Sequence, residues 1–106
     1  MVAGAFSAAA LARTGSVDLT GAVSDRAGTV IPQAEIALHK HGRKKVTAVT
    51  LTDGGGRFAF SNLKPQVFDL DVRAPGFREA VIPNIDATVT HKTRVPPVKL
   101  EVGDPK

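Results

Sequence analysis

The densest group of chemically active side chains is a run of cations, Lys40, Arg43, Lys44 and Lys45, with His39 and His41 set among them. Four positive charges within six residues equal the whole formal excess of +4. Such a cluster attracts phosphate, uronate or an acidic protein face through screened Coulomb forces. His39 and His41 share a face only if a strand runs through both, and His91 is distant. Two imidazoles without a third fixed ligand make a weak metal site, so both read as solvated loop histidines and no metal is assigned. Asp25 and Asp53 each stand ahead of glycine in a reversal and read as turn residues rather than calcium ligands.

Catalysis finds little to work with. The chain has no Cys and no Tyr, which removes thiol nucleophiles, thiolate metal sites, disulfides and phenol chemistry together. No Gly-x-Ser-x-Gly elbow is present. The reading is therefore no enzyme and no cofactor. The basic run holds no aromatic residue, so recognition of single-stranded nucleic acid lacks its stacking platform and is not expected. No window reaches the length of a transmembrane helix, so membrane insertion is not expected either.

These side chains must be held by strands, because the hydrophobic period after Arg13 is two throughout. The organising stretch is Thr50 to Leu63. An alternating segment enters the reversal Asp53-Gly54-Gly55-Gly56, and a second leaves it with Phe58 and Phe60 on one face. Glycine accepts positive φ without steric cost and Asp bonds to nearby N–H groups, so residue type specifies a hairpin. A strand, not a helix, follows Gly56, which argues against a phosphate cradle.

Before it, Val17, Leu19, Gly21 and Val23 share one face of a first strand, and Ala34, Ile36 and Leu38 one face of a second. The basic loop 39–45 follows. Residues 46–52 make a third strand, with Val49 and Leu51 expected inward. After the hairpin, Phe68, Leu70, Val72 and Ala74 alternate with Asp69, Asp71 and Arg73, one face core and the other water. A sixth strand is expected over residues 77–82, ending at Pro83. Ile85, Ala87 and Val89 offer a short inward row, and Val98, Leu100 and Val102 the last strand. The five phenylalanines are the whole aromatic content. Fully burying one contributes roughly 1.5–3 kcal/mol, so Phe58, Phe60, Phe68 and Phe77 read first as core.

At 106 residues the chain suits one domain. Residues 1–15 stand apart: Met1 to Ala12 carry no charge. They read as an apolar arm or a signal-peptide remnant, because Ala10-Leu11-Ala12 resembles a signal-peptidase site although no Lys or Arg precedes it. If retained, Val2, Phe6 and Leu11 are the candidate assembly contacts. Residues 16–103 form the body and 104–106 a tail.

The order of motifs resembles a carboxypeptidase regulatory-like domain, of the transthyretin-like (prealbumin-like) group. The residues carrying the match are Gly21-Ala22-Val23-Ser24-Asp25, Gly28, Ile31-Pro32-Gln33-Ala34-Glu35-Ile36, and Thr52-Asp53 with Gly56-Arg57-Phe58. Leu63-Lys64-Pro65, Phe68-Asp69-Leu70-Asp71-Val72, Ala74-Pro75-Gly76-Phe77 and Val98 to Gly103 complete it. Phe68 stands where the family usually has Tyr. The resemblance implies an all-β, seven-stranded antiparallel Greek-key sandwich, non-catalytic, secreted, periplasmic or at the cell surface. Transthyretin-like hydrolases end in Tyr-Arg-Gly-Ser and intradiol dioxygenases bind iron through Tyr and His, and this chain lacks Tyr. A Lys–Asn isopeptide crosslink of the pilin kind is not expected, because Lys40 is the first Lys and Asn62 and Asn84 fall at loop positions.

Two roles follow. One is protein–protein interaction or structural assembly, through the arm or an exposed strand edge, with a protein partner or a second copy. The other is binding of an anionic glycan or other polyanion through residues 39–45.

Overall fold

A computed structural model describes residues 16–103. Eight strands form: β1 (Val17–Asp25), β2 (Glu35–Lys40), β3 (Val46–Leu51), β4 (Arg57–Leu63), β5 (Val67–Arg73), β6 (Ala80–Asp86), β7 (Lys92–Arg94) and β8 (Val98–Leu100). They make two sheets. One has the order β4-β1-β7, with β8 also on β1, and the other the order β3-β2-β5-β6. This is an all-β sandwich with one more strand than expected, because a short strand, β7, forms ahead of Pro96-Pro97 where the sequence pattern assigns none. Both of these pair with β1 in parallel, whereas every other strand pair is antiparallel.

The core lies between the sheets and is built from the alternate residues of each strand. Leu19 and Val23 meet Phe58 and Phe60 from one sheet, and Ile36 and Leu38 with Phe68, Leu70 and Val72 close it from the other. The Phe58 and Phe60 rings meet edge-on, 6.3 Å between centroids. Phe77 is half-buried against this core and forms an isolated bridge to Val102.

Two reversals share one hydrogen-bond scheme. Asp25 Oδ1 accepts from the N–H groups of Ala27 and Thr29, and Asp53 Oδ1 from those of Gly55 and Arg57, all at 2.9 Å. The fourth residue of each is a glycine at positive φ, Gly28 at 92° and Gly56 at 75°. At Gly56 a Cβ would also sit 2.6 Å from the Val23 carbonyl oxygen, so glycine is required twice over.

Several expected positions change. Thr50 to Leu63 is not a hairpin: β3 pairs with β2 and β4 with β1, so the Asp53–Gly56 reversal carries the chain from one sheet to the other. Val49 and Leu51 are 54% and 57% exposed and point outward, while Ala48 and Thr50 face inward opposite Leu38 and Ile36. The sixth strand starts at Ala80, not residue 77, and runs through Pro83, which an edge strand tolerates. Ile85 and Ala87 are buried, but Val89 and Val102 are almost fully exposed. Asp69, on the row expected to face water, is 8% exposed. Its burial comes from a bulge in β6: between the pairs Leu70↔Ile82 and Phe68↔Ile85, Pro83 and Asn84 oppose the single residue Asp69.

Candidate functional site

The basic run starts on a strand. His39 and Lys40 end β2, opposite Asp69 and Phe68 of β5, so His39 is not a loop residue. The chain then reverses: Arg43 N–H donates to the Lys40 carbonyl at 2.9 Å, with Gly42 at φ 79°. Asp69 clamps this reversal. Its Oδ1 accepts from His41 Nδ1 at 2.8 Å and from the Asn84 N–H of the β6 bulge at 3.0 Å, and its Oδ2 from the Gly42 N–H at 3.1 Å. One carboxylate thus ties the β2–β3 loop to β5 and β6. Burial pushes the Asp69 carboxyl up, but the hydrogen bonds from His41, Asn84 and Gly42 outweigh it and hold the group at about 2.

His39 sits beside a second acid, its Nε2 3.3 Å from Asp71 Oδ2 with the His39 side chain 13% exposed. Burial opposes the charged imidazole. The bond to Asp71, the Arg43 backbone and the charges of Asp71 and Asp69 favour it, so the pKa is raised above its ordinary value. His39 Nδ1, on the other side of the ring, is buried without a hydrogen-bond partner of full geometry among the described residues. The reading of His39 as a solvated loop residue is corrected, since it is largely buried on β2; His41 does lie in the loop, 49% exposed, and each of the two is paired to a carboxylate. No group of three or more His, Asp or Glu side chains among the described residues is arranged to hold a metal.

The pairs were hidden in sequence because His39 and Asp71 lie far apart along the chain. A signal existed: two acids spaced by two on one strand answer two histidines spaced by two, once β2 is laid against β5.

Lys40, Arg43, Lys44 and Lys45 are all exposed, and none forms an ion pair among the described residues. Immediately after them comes β3, which pairs with β2 on one side and lies at the end of its sheet. Its sequence Val-Thr-Ala-Val-Thr-Leu contains no charge and no proline, and Val46, Val49 and Leu51 stand exposed along its outer row. Asp53 and Gly56 belong to the β3–β4 reversal, and Phe58, Phe60 and Phe68 to the buried core. Val2, Phe6 and Leu11 lie outside the described residues. No helix among the described residues is long and apolar enough to cross a membrane.

Comparison with known proteins agrees with this architecture. No curated protein matches the chain. Among solved structures, catechol 1,2-dioxygenase from Pseudomonas arvilla C-1 superposes with a TM-score of 0.62 at 11% identity, over 87% of this chain and 54% of that one. The Bacillus anthracis TIE protein gives 0.61 at 16%, over 82% of this chain and 17% of that one. A type II cohesin–X-dockerin complex from Acetivibrio cellulolyticus gives 0.59 at 14%, over 83% and 59%. The chain thus spans about half, or less, of the first structures it matches. Identities this low show the sandwich fold and not the chemistry built on it. The family described as carboxypeptidase regulatory-like domain matches residues 18–101, nearly all of the described sandwich. This chain belongs to the carboxypeptidase regulatory-like domain family.

Proposed function

We propose that this domain is a non-catalytic module of protein interaction and assembly that acts outside the cytoplasm. The observation that carries the reading is the outer edge of β3, which has no partner strand among the described residues. An edge strand offers a row of unpaired N–H and C=O groups, and proteins usually blunt such edges with charge, proline or bulges. Within β3 neither charge nor proline is present, and its one bulge, at Thr47, lies at the start of the strand and leaves residues 48–51 regular. The other edge of this sheet, β6, carries both Pro83 and the bulge.

The partner this edge fits is the same strand of a second copy. Antiparallel pairing about Val49 sets Val49 against Val49, Leu51 against Thr47, and Lys45 against Asp53, opposite charges at both ends. Sedimentation velocity over a concentration series tests this. The native chain should show a dimer that Val49→Lys converts to monomer, with and without residues 1–12. A native chain that stays monomeric throughout, or a dimer indifferent to Val49→Lys, overturns the reading. The extracytoplasmic placement is tested by fractionating the producing cells, and recovery of the chain from cytoplasm alone would refute it.

A second reading is favoured by the built geometry of the basic loop. Asp69 holds the reversal in place while four cations project from it without counter-ions. This is a surface suited to an anionic glycan or other polyanion. Lys44→Glu with Lys45→Glu should abolish retention on a heparin column. Unchanged retention would remove the loop from consideration.

A further inference from the structure

The outer face of the other sheet holds a further feature, which meets the β3 edge only at its Leu51–Asp53 end. Strand pairing sets Ala59, Thr20 and Arg94 in one row across β4, β1 and β7, and Arg57 beside Ala22 in the adjacent row. All five side chains are exposed and point away from the core. The floor is small and uncharged, and an arginine rises on each side of it. The result is an open trough of about 780 Å³, running from Leu51 and Asp53 at one end to Arg94 and Pro97 at the other. That volume is within the usual range of about 300–1,000 Å³ for ligand sites.

We infer that this trough is a binding site for an acidic, extended polypeptide segment, whose carboxylates are taken by Arg57 and Arg94. Charge is the first argument. Neither guanidinium forms an ion pair among the described residues. Asp53 is the one acid lining the trough among the described residues; its charge is felt by Arg57 without a direct ion pair, its Oδ1 accepts two backbone N–H groups, and Arg94 is left without an acidic neighbour there. Arginine presents a planar fork that matches a carboxylate bidentately, so the pair selects that group over a diffuse negative surface.

Spacing is the second argument. β4 and β7 flank β1, so at about 4.8 Å between strands and one side-chain row of offset the two arginine Cα atoms stand about 12 Å apart. Acidic residues three or four apart in an extended chain, which rises about 3.3 Å per residue, reach both. The lining chemistry argues against single-stranded nucleic acid, whose bases stack on aromatic rings: the one ring among the described residues lining the trough, Phe58, is 4% exposed. The small floor of Thr20, Ala22 and Ala59 instead leaves room for a backbone to lie close to the sheet.

The test uses the full chain, labelled for amide NMR, with a synthetic extended peptide carrying glutamates four apart as probe and a heparin oligosaccharide as the competing anion. The peptide should shift the amides of Thr20, Ala22, Ala59 and Arg94. Arg57→Gln with Arg94→Gln should weaken it at least fivefold and flatten its salt dependence, while Lys44→Glu with Lys45→Glu leaves its trough shifts in place. Both arginine changes are at exposed side chains outside the core, and an unchanged spectrum away from the trough verifies the fold. Shifts confined to residues 40–45, a peptide insensitive to the arginine pair, or heparin displacing nothing but itself occupying the trough would each overturn the inference. So would the same amides shifting on deletion of residues 1–15, since the arm would then be the occupant. Because the β3 test reads mass and this one reads amides on the opposite sheet, either can fail alone.

Discussion

Asp69 and His41 are 28 residues apart in sequence, yet their carboxylate and imidazole meet at 2.8 Å, and the same carboxylate receives the N–H groups of Gly42 and Asn84. Asp69→Ala orphans these two backbone donors in a partly buried setting. At about 1–3 kcal/mol per unsatisfied group, the loss should be about 3 kcal/mol in urea denaturation. Asp69→Asn keeps an acceptor and should lose less. A fully stable alanine variant would show that the clamp does not hold the loop.

The same carboxylate sets an acid limit. Its pKa is depressed in the fold, so its stabilisation is present above the unfolded value near 4 and is lost as pH falls through about 2. Stability measured between pH 4 and pH 2 should fall for the native chain. In Asp69→Asn that part of the slope should be missing.

His39 works in the opposite direction. Its folded pKa is raised above 6.5, so the stabilisation it shares with Asp71 is complete below the unfolded value and fades as pH rises through the folded one. An NMR titration should place His39 above the ordinary imidazole range. Asp71→Asn should bring it down, and a His39 that titrates at its ordinary value in the native chain contradicts the pairing.

In the other sheet, the Phe58 ring occupies the space that a Cβ on its cross-strand partner Gly21 would need. Gly21→Ala should therefore push the ring from its place and cost about 1–3 kcal/mol, as overpacked sites do. Phe58→Ala should cost about 3–5 kcal/mol by leaving a cavity. The double variant should lose less than the sum, since the added methyl then has room. Strict additivity in thermal unfolding would show that the two do not touch.

Thr52 is 3% exposed, and its hydroxyl donates to the Ile31 carbonyl at 2.7 Å while accepting the Ala34 N–H at 2.8 Å. Thr52→Val keeps the shape and strands both backbone groups. A loss of about 2 kcal/mol in denaturant unfolding is expected. Thr52→Ser should retain most of the stability.

Much of this was legible in order along the chain. Period-two alternation assigned the buried rows of β1, β2, β4 and β5, because each of these strands has a clear apolar face. The two Asp-x-x-Gly reversals were legible because one residue type supplies the acceptor and another the positive φ. β3 was not legible: Val49 and Leu51 form the more hydrophobic row, but pairing with β2 sets Ala48 and Thr50 against Leu38 and Ile36 and turns the valine row outward. Its place at the end of the sheet is a property of strand order.

The cations of the basic run and the acids of β5 are plain in the sequence, and so is their chemistry. The amino-acid order alone determined a two-faced β sandwich with Asp-x-x-Gly reversals and a basic loop, since local alternation and turn chemistry act over a few residues, whereas strand pairing decided that the reversal at Asp53 joins two sheets and not one hairpin. Tertiary structure decided that Asp69 is buried, that His41 is held, that β3 is open and that Arg57 and Arg94 flank one trough. The first two depend on the pairing of β5 with β2 and on the bulge in β6, the last two on strand order and register, all of them contacts that a chain acquires only when its distant segments are laid side by side.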